Sequence, residues 1–488
     1  MNDQILDTSQ NANSDMKSQW LALAEKALRG AALQTLVKTG VDGIARGPLF
    51  DQRPGVASPG RADTPALAGR PWHNAPQVCH PDVKTANREA LEELKGGASA
   101  LTLTLDANGA RGIAVQSLSD VLVLLSGVHT DYVPIVLRPE TSGFETAALF
   151  AAHFDLQGKM QNTLLSPGLD PDMLTNHQLV SAVKWVREKA PAWHLITINA
   201  AKIHEAGGTA IQELAAMLAM TVETLDVLEE NGLTPSRSVS FFEIHMAVGA
   251  ETHWNICKLR AARLLWDRLM EVYGLAVPMR LHVTTSGRML GRSDPWSNLL
   301  RIGSASFAAA LGGADVITTL PFTQALGLPT GFARRIARNQ QHLLSLESHL
   351  GQVADPARGS YTHETLSLKM AEKAWACFQD IEAQGGWRAA KDRFRQEVSE
   401  ACGAKLARLK SGEDKLIGVN QYARPDIRKA EILPAPKIRH KSGPVIATED
   451  FAQAIAQAQN GHIVPCTPAK TEFERVNFAQ MIADGGQT

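Results

Sequence analysis

One short stretch of this 488-residue chain gathers three side chains able to move protons or form covalent adducts: Lys202, His204 and Glu205, in the run Ala200-Ala201-Lys202-Ile203-His204-Glu205-Ala206-Gly207. The run follows directly on Ile196-Thr197-Ile198-Asn199, whose alternation reads as a β-strand. A lysine just beyond the C-terminal end of a barrel strand could form a Schiff base with a carbonyl substrate, because β/α barrels place their catalysis there. The commoner fate of such a lysine is an ion pair, with Glu205 as the nearest acid in sequence. Two basic groups lie further on. Lys258, Arg260 and Arg263 share a helical stretch, either facing a ligand or forming its solvated face. Arg334, Arg335 and Arg338 could bind the phosphates of a nucleotide tail; ion pairs at a surface or interface are the commoner outcome. Asp355-Pro356 and Gly359 are turn chemistry and need no other role. Five cysteines (Cys79, Cys257, Cys377, Cys402, Cys466) are scattered without a CxxC pair, so neither a structural metal site nor a disulfide framework is expected.

Charge narrows the partners. With 49 basic against 50 acidic residues, nothing points to nucleic acid or an anionic membrane surface. No apolar run reaches the roughly 18 residues of a membrane span, and the polar start, residues 1–19, has no signal-peptide core. A reduced, soluble, cytoplasmic protein is expected.

The elements that must hold these residues alternate. Strand-like runs fall at 99–105, 134–138, 159–165, 194–199, 238–244, 280–285 and 315–320. Helices lie between them, the clearest at 253–273 with Trp254, Cys257, Ala261, Leu264, Leu265, Leu269 and Val272 on one stripe. Strands separated by helices imply a parallel sheet. Seven or eight such units over about 270 residues fit an eight-stranded β/α (TIM-type) barrel, an α/β fold. No GxGxxG follows the first strand, which counts against a dinucleotide-binding open sheet. We expect an N-terminal helix and extended interface arm over 1–70, the barrel over 71–365, a C-terminal helical segment over 366–430 and a tail over 431–488. Within the arm, 1–15 read as polar and mobile, 16–36 as helix and 40–70 as extended. Helices are expected at 366–383 and 387–402, with one short helical stretch near 449–459 and irregular chain after it.

Small polar residues interleave with the apolar ones in several strand runs: Thr102 and Thr104, Thr197 and Asn199, Ser238 and Ser240, His282 and Thr284. Successive strand residues face opposite sides. With the apolar set against helices, the polar set faces the lumen. Barrels ordinarily fill that space with branched aliphatics; Thr, Ser and Asn leave room and hydrogen-bonding groups for a long, polar, flexible ligand. A half-exposed antiparallel sheet shows the same alternation, and the pattern alone leaves both readings open.

Three ordered segments carry a resemblance. The first is Lys258-Leu259-Arg260-Ala261-Ala262-Arg263-Leu264-Leu265-Trp266. The second is Thr285-Ser286-Gly287 followed by Asp294-Pro295-Trp296-Ser297-Asn298-Leu299-Leu300-Arg301. The third is Leu328-Pro329-Thr330, Arg334-Arg335-Ile336-Ala337-Arg338-Asn339-Gln340 and Asp355-Pro356-Ala357-Arg358-Gly359-Ser360-Tyr361. Together, with weaker agreement at 43–51, 70–72 and 418–422, they resemble the methylmalonyl-CoA mutase family over residues 16–425. The resemblance implies an acyl-CoA lying along a barrel axis, an adenosylcobalamin-binding domain over the mouth, and a radical 1,2-rearrangement begun by homolysis of that cofactor. Possible acyl-CoA contacts are then Thr102, Thr104, Gln161, Thr197, Asn199, Ser240 and Thr284.

The sequence also departs from the family's catalytic pattern. Catalytic members carry Gly-Tyr-His-Met-Gln-Glu-Ala-Gly where this chain has residues 200–207. Glu205-Ala206-Gly207 persists, but the Tyr-His pair has become Ala201-Lys202. The family histidine contacts the substrate thioester, and an ammonium differs from an imidazole in reach, charge and proton inventory. Gln77 stands at the family's tyrosine position and Ala75 at a family arginine. Pro171 lies near where another arginine pairs with the substrate carboxylate, so bidentate recognition would be lost; only Gln161-Asn162 persists in that neighbourhood. None of the 15 histidines has the Asp-x-His-x-x-Gly spacing of the cobalamin module, and residues 423–488 are too few for that module. The expectation is a small, β-type subunit of a heterodimeric mutase interconverting methylmalonyl-CoA and succinyl-CoA. It would have no catalytic or cofactor-binding residue of its own and would work beside a larger, cobalamin-carrying subunit. The alternative is a catalytic acyl-CoA mutase barrel whose cobalamin domain is a separate chain and whose substrate matches Lys202 and His204. The arm, with Asp42-Gly43-Ile44 and Pro48-Leu49-Phe50, is expected to wrap the partner, as the family's N-terminal segment does; the alternative is that it folds back on its own barrel.

Overall fold

The computed structural model describes residues 3–50, 71–466 and 472–484, with the backbone alone for 3–15. Two parallel sheets form its centre. Strands Ile196–Asn199, Phe242–Val248, Leu281–Thr285, Val316–Thr318 and His73–Asn74 make one; Gln77–Val78, Leu101–Leu105, Ile135–Pro139 and Leu165–Ser166 make the other. The chain passes between the sheets through Ala75-Pro76, and Leu169, just after the last strand of the second sheet, bridges Ile196 in parallel. Leu101, Leu103, Leu137, Ile198, Ile244 and Val283 are buried in the apolar core. The opposite face is polar in register: Thr197 beside Glu243, Asn199 beside His245, His245 beside His282, Thr284 beside Thr318.

Two expected strands differ. The run 159–165 shrinks to Leu165–Ser166, because Gly158, at φ 65°, ends helix Gly143–Leu156 and a turn follows. Gln161 lies exposed in that turn, away from the strand faces. The run 238–244 begins as helix: Pro235 sits at the first helical position of Pro235–Ser238, Val239–Phe241 continues as a 3-10 turn, and the strand starts only at Phe242. Ser240 is therefore exposed and not on a strand. The pair of two-residue strands around Pro76 is too short for alternation to reveal.

The helices flanking the sheets follow the expected pattern with longer bounds. The stripe expected at 253–273 is helix Thr252–Val272, although Val272 itself is exposed. Tyr361–Ala383 and Trp387–Lys410 are divided by Gly385 and Gly386, both at positive φ. At the N-terminus, helix Asp3–Leu28 starts earlier than expected and ends where Arg29 and Gly30 turn left-handed. None of its residues from Met16 onward is buried.

The arm does not read as one extended segment. Lys38–Thr39 pairs antiparallel with Ala45–Arg46. Ile44 enters the core, the Arg46 guanidinium lies 3.6 Å over the Trp254 ring, and Lys373 donates to the Gly43 carbonyl at 3.0 Å. This part folds back on the chain's own helices; residues 51–70 lie outside the described residues. The tail carries the expected short helix and, among the described residues, one more helix than expected. Phe451 of helix Phe451–Gln459 meets Phe144 and Trp185 edge-on, each at 5.4 Å, and a further helix, Phe478–Ala483, follows.

Candidate functional site

The polar face of the strands is hydrogen-bonded to itself. From Ile135–Pro139, the Arg138 side chain reaches Glu243 Oε1 at 2.6 Å and His282 Nδ1 at 2.6 Å. Ser166 donates to Glu243 Oε2 at 3.2 Å. His282 Nε2 lies 2.8 Å from Thr318 Oγ1, which is itself 2.8 Å from Thr102 Oγ1. His245 joins Asn199 at 3.1 Å and Thr284 at 2.9 Å, and Gln77 donates to Thr104 at 2.9 Å. Thr102, Thr104, Thr197, Asn199 and Thr284 are thus brought together as read from the sequence; Gln161 and Ser240 are not. Sequence reasoning missed Arg138, Glu243 and His245. The alternation Phe242-Glu243-Ile244-His245-Met246 would have found two of them had the strand been started at Phe242.

Burial and neighbours set the charges in this interior. Burial opposes ionisation of Glu243, but Arg138, His282 and Arg280 outweigh it and hold the carboxyl well below its ordinary range. Burial, reinforced by Arg138, lowers His282 to about 4, so the ring is neutral. That agrees with Nδ1 accepting from Arg138 and Nε2 donating to Thr318.

The loop that carries Lys202 is built differently from a catalytic lysine site. Lys202 Nζ lies 3.1 Å from Asp170 Oδ2 and also donates to Asp172, not to Glu205. Burial lowers the ammonium's pKa, but the two aspartates outweigh it and raise it above its ordinary value. Asp172 in turn accepts from Trp387 Nε1 at 2.7 Å and pairs with Lys391 at 3.4 Å, tying the loop to helix Trp387–Lys410. His204 is buried, with Nδ1 3.5 Å from Glu213 and Nε2 without a hydrogen-bond partner among the described residues. Burial, with Arg288 and Lys258 nearby, lowers it to about 3. Gly207, at φ 98°, packs against helix Trp387–Lys410 so closely that a Cβ would come 2.6 Å from Cys402 Sγ. The persistent Glu-Ala-Gly thus serves local packing here.

The two basic groups are structural. Lys258, Arg260 and Arg263 are not a solvated face but a buried one. Lys258 pairs with Glu213 at 2.5 Å, Arg260 with Glu364 at 2.9 Å and Arg263 with Asp315 at 3.1 Å. Arg334 bonds Glu89 at 2.7 Å and Glu93 at 3.2 Å, and Arg338 bonds Glu93 at 2.8 Å. These are ion pairs, as expected, but buried within the chain rather than at a surface or interface, while Arg335 is exposed.

Residues 472–483 lie across the C-terminal ends of the strands. Arg475 bonds Glu140, just past Ile135–Pro139, at 2.7 Å. Val476 N donates to the Glu205 carbonyl at 2.8 Å and Phe478 N to the Arg288 carbonyl at 3.1 Å. The tail thereby touches loops of both sheets. Among the described residues, no group of three or more His, Cys, Asp or Glu side chains could hold a metal ion.

The methylmalonyl-CoA mutase family profile matches residues 51–447. The chain belongs to the methylmalonyl-CoA mutase family. Among its relatives, the methylmalonyl-CoA mutase small subunit of Streptomyces virginiae is 33% identical over 91% of this chain and 76% of its own length. That of Propionibacterium freudenreichii subsp. shermanii is 34% identical over 74% of this chain and 58% of its own length. The methylmalonyl-CoA mutase of Cereibacter sphaeroides is 29% identical over 83% of this chain and 64% of its own length. Methylmalonyl-CoA mutases depend on adenosylcobalamin, which the resemblance places over the C-terminal mouth. Here residues 472–483 lie on that ground and bond the loops beneath it, so the residues present do not fit the cofactor, and no step is derived through it.

Proposed function

We propose that this chain is the small, non-catalytic, structural or regulatory subunit of a heterodimeric adenosylcobalamin-dependent methylmalonyl-CoA mutase. Its larger partner would hold the cobalamin and interconvert methylmalonyl-CoA and succinyl-CoA. In this reading the two parallel sheets close as an eight-stranded β/α barrel over 71–365, with His73–Asn74 and Gln77–Val78 counted as one strand, flanked by the arm at 1–70, the helical segment at 366–430 and the tail at 431–488.

The interior carries the proposal. A threaded acyl-CoA needs an open axis, and Arg138 of one sheet instead bonds Glu243 and His282 of the other, which supports a filled interior. Thr102, Thr197, Asn199 and Thr284 then serve that network rather than an acyl chain. Moving Arg138 aside would leave the Glu243 carboxylate buried without its main partner, and breaking a buried pair in this way costs roughly 3–5 kcal/mol. Lys202 supports the same reading. An amine held protonated above its ordinary pKa cannot attack a carbonyl, which argues against the Schiff-base chemistry. The names of the small-subunit relatives agree with the assignment. A cytoplasmic setting is part of the proposal: the cysteines are unpaired, and no described helix is long and apolar enough to cross a membrane.

The test is Lys202→Ala in the complex assembled with a cobalamin-binding large subunit. Mutase turnover is expected to stay within a few fold. A general acid or base would cost roughly 10²–10⁴-fold on removal. A loss of that size with assembly intact would move the assignment to a catalytic barrel.

A further inference from the structure

We propose that residues 472–483 are a cap built into this chain, closing the mouth of its strands against any module of a partner. The proposal rests on the small-subunit reading and deepens it: the partner must dock elsewhere. Three kinds of contact seat the cap. Backbone donors of Val476 and Phe478 bond the carbonyls of Glu205 and Arg288, satisfying groups that would otherwise face the mouth. Asn477 Nδ2 reaches the Leu290 carbonyl at 2.9 Å while its side-chain oxygen caps helix Phe478–Ala483. Apolar side chains complete the seal. The Phe473 ring stacks on Trp387 with centroids 6.2 Å apart, and Phe478 is buried with Cys402 and Leu409.

The cap continues the clamp at Lys202. Glu472 pairs with Lys391, which shares Asp172 with Lys202. The position that carries a substrate-binding histidine in the resembled catalytic pattern is thus linked, through one chain of ion pairs, to the segment covering it. A side chain that anchors a cap cannot also reach a substrate entering beneath it.

Cys402 reports on the cap, because Phe478 lies against it. In the full-length chain, alkylation by N-ethylmaleimide, read cysteine by cysteine by mass spectrometry, is expected to be at least about tenfold slower at Cys402 than at the half-buried Cys377. The double variant Arg475→Ala, Phe478→Ala should raise the Cys402 rate by about tenfold or more and leave Cys377 unchanged. Equal rates at the two cysteines in the unsubstituted chain, or no response in the variant, would overturn the cap. Hydrogen exchange on the unsubstituted chain decides the matter without any variant. Protected amides at Val476 and Phe478 support the cap, and exchange at the rate of an unstructured peptide overturns it. Adding the large subunit separates this claim from the functional one. Unchanged slow labelling of Cys402 in the complex supports docking elsewhere, and acceleration there overturns closure while leaving the small-subunit reading standing. If no complex forms, the functional reading fails and the exchange result still decides the cap.

Discussion

Asp170 and Asp172 flank Pro171, which stands near where the resembled family pairs an arginine with its substrate's carboxylate, and both bond Lys202. Lys202 is thereby committed to two aspartates and is not free to pair with an incoming carboxylate. The interior histidines lead to a pH prediction. His282 is lowered to about 4 in the folded chain by burial and Arg138, against an ordinary value near 6.5. Between those values the unfolded chain binds the proton and the folded chain does not, so stability rises with pH across that window. It is expected to be fully present above about pH 6.5 and to fall as pH drops toward 4. His282→Gln should flatten that part of a melting-temperature profile, and an unchanged slope would contradict the neutral buried ring. At this scale the sequence is informative through the resemblance: Ala201-Lys202 stand where the resembled catalytic pattern has Tyr-His. The surroundings of Lys202 are not legible there, because Asp170 and Asp172 lie far from it in sequence and meet it only through packing, with Trp387 and Lys391 joined through Asp172.

Elements divide by what their burial reveals. The segment around Ile44 and Arg46 packs on the chain's own helices, whereas helix Asp3–Leu28 has Met16 and Leu23 exposed and Trp20, Leu21 and Leu28 half-buried. Met16 and Leu23 leave apolar surface of this helix exposed, and exposed apolar surface can mark an interaction site. Deleting residues 1–36 retains Ile44 and Arg46 and is expected to leave the melting temperature within a few degrees. It should abolish co-elution with the large subunit on size exclusion. Co-elution with undiminished affinity would show that this helix is not the assembly device. The strand runs containing Leu101, Ile196 and Leu281 are legible from alternation, and the one containing Ile135 from its short continuous apolar run. The start at Phe242 is not, because Val239-Ser240-Phe241 alternates like a strand while Pro235 commits the chain to a helical turn. Helix Phe478–Ala483 is not legible in the sequence, because its segment is held by contacts with loops some 180 to 340 residues earlier, such as Arg288 and Glu140, and local pattern carries no trace of them.

For the whole molecule, alternating strands and helices announced a parallel α/β fold, and the ordered segments from Lys258 to Tyr361 announced the family. The polar strand faces suggested a lumen for a ligand. The same alternation is satisfied by a network that fills the space, and only the placement of Arg138 opposite Glu243 and His282 separates the two. The bonds of Arg138 to Glu243 and His282, the contacts of residues 472–483 with the strand-end loops and the pairing of Lys202 with two aspartates are the observations on which the proposed supporting role rests. The most direct measurement is turnover of methylmalonyl-CoA with added adenosylcobalamin, by the purified chain alone and by the chain mixed with a cobalamin-binding large subunit. The chain alone is expected to give no turnover and no stoichiometric cobalamin spectrum, while the mixture is active as a one-to-one complex. Turnover by the chain alone would contradict the assignment.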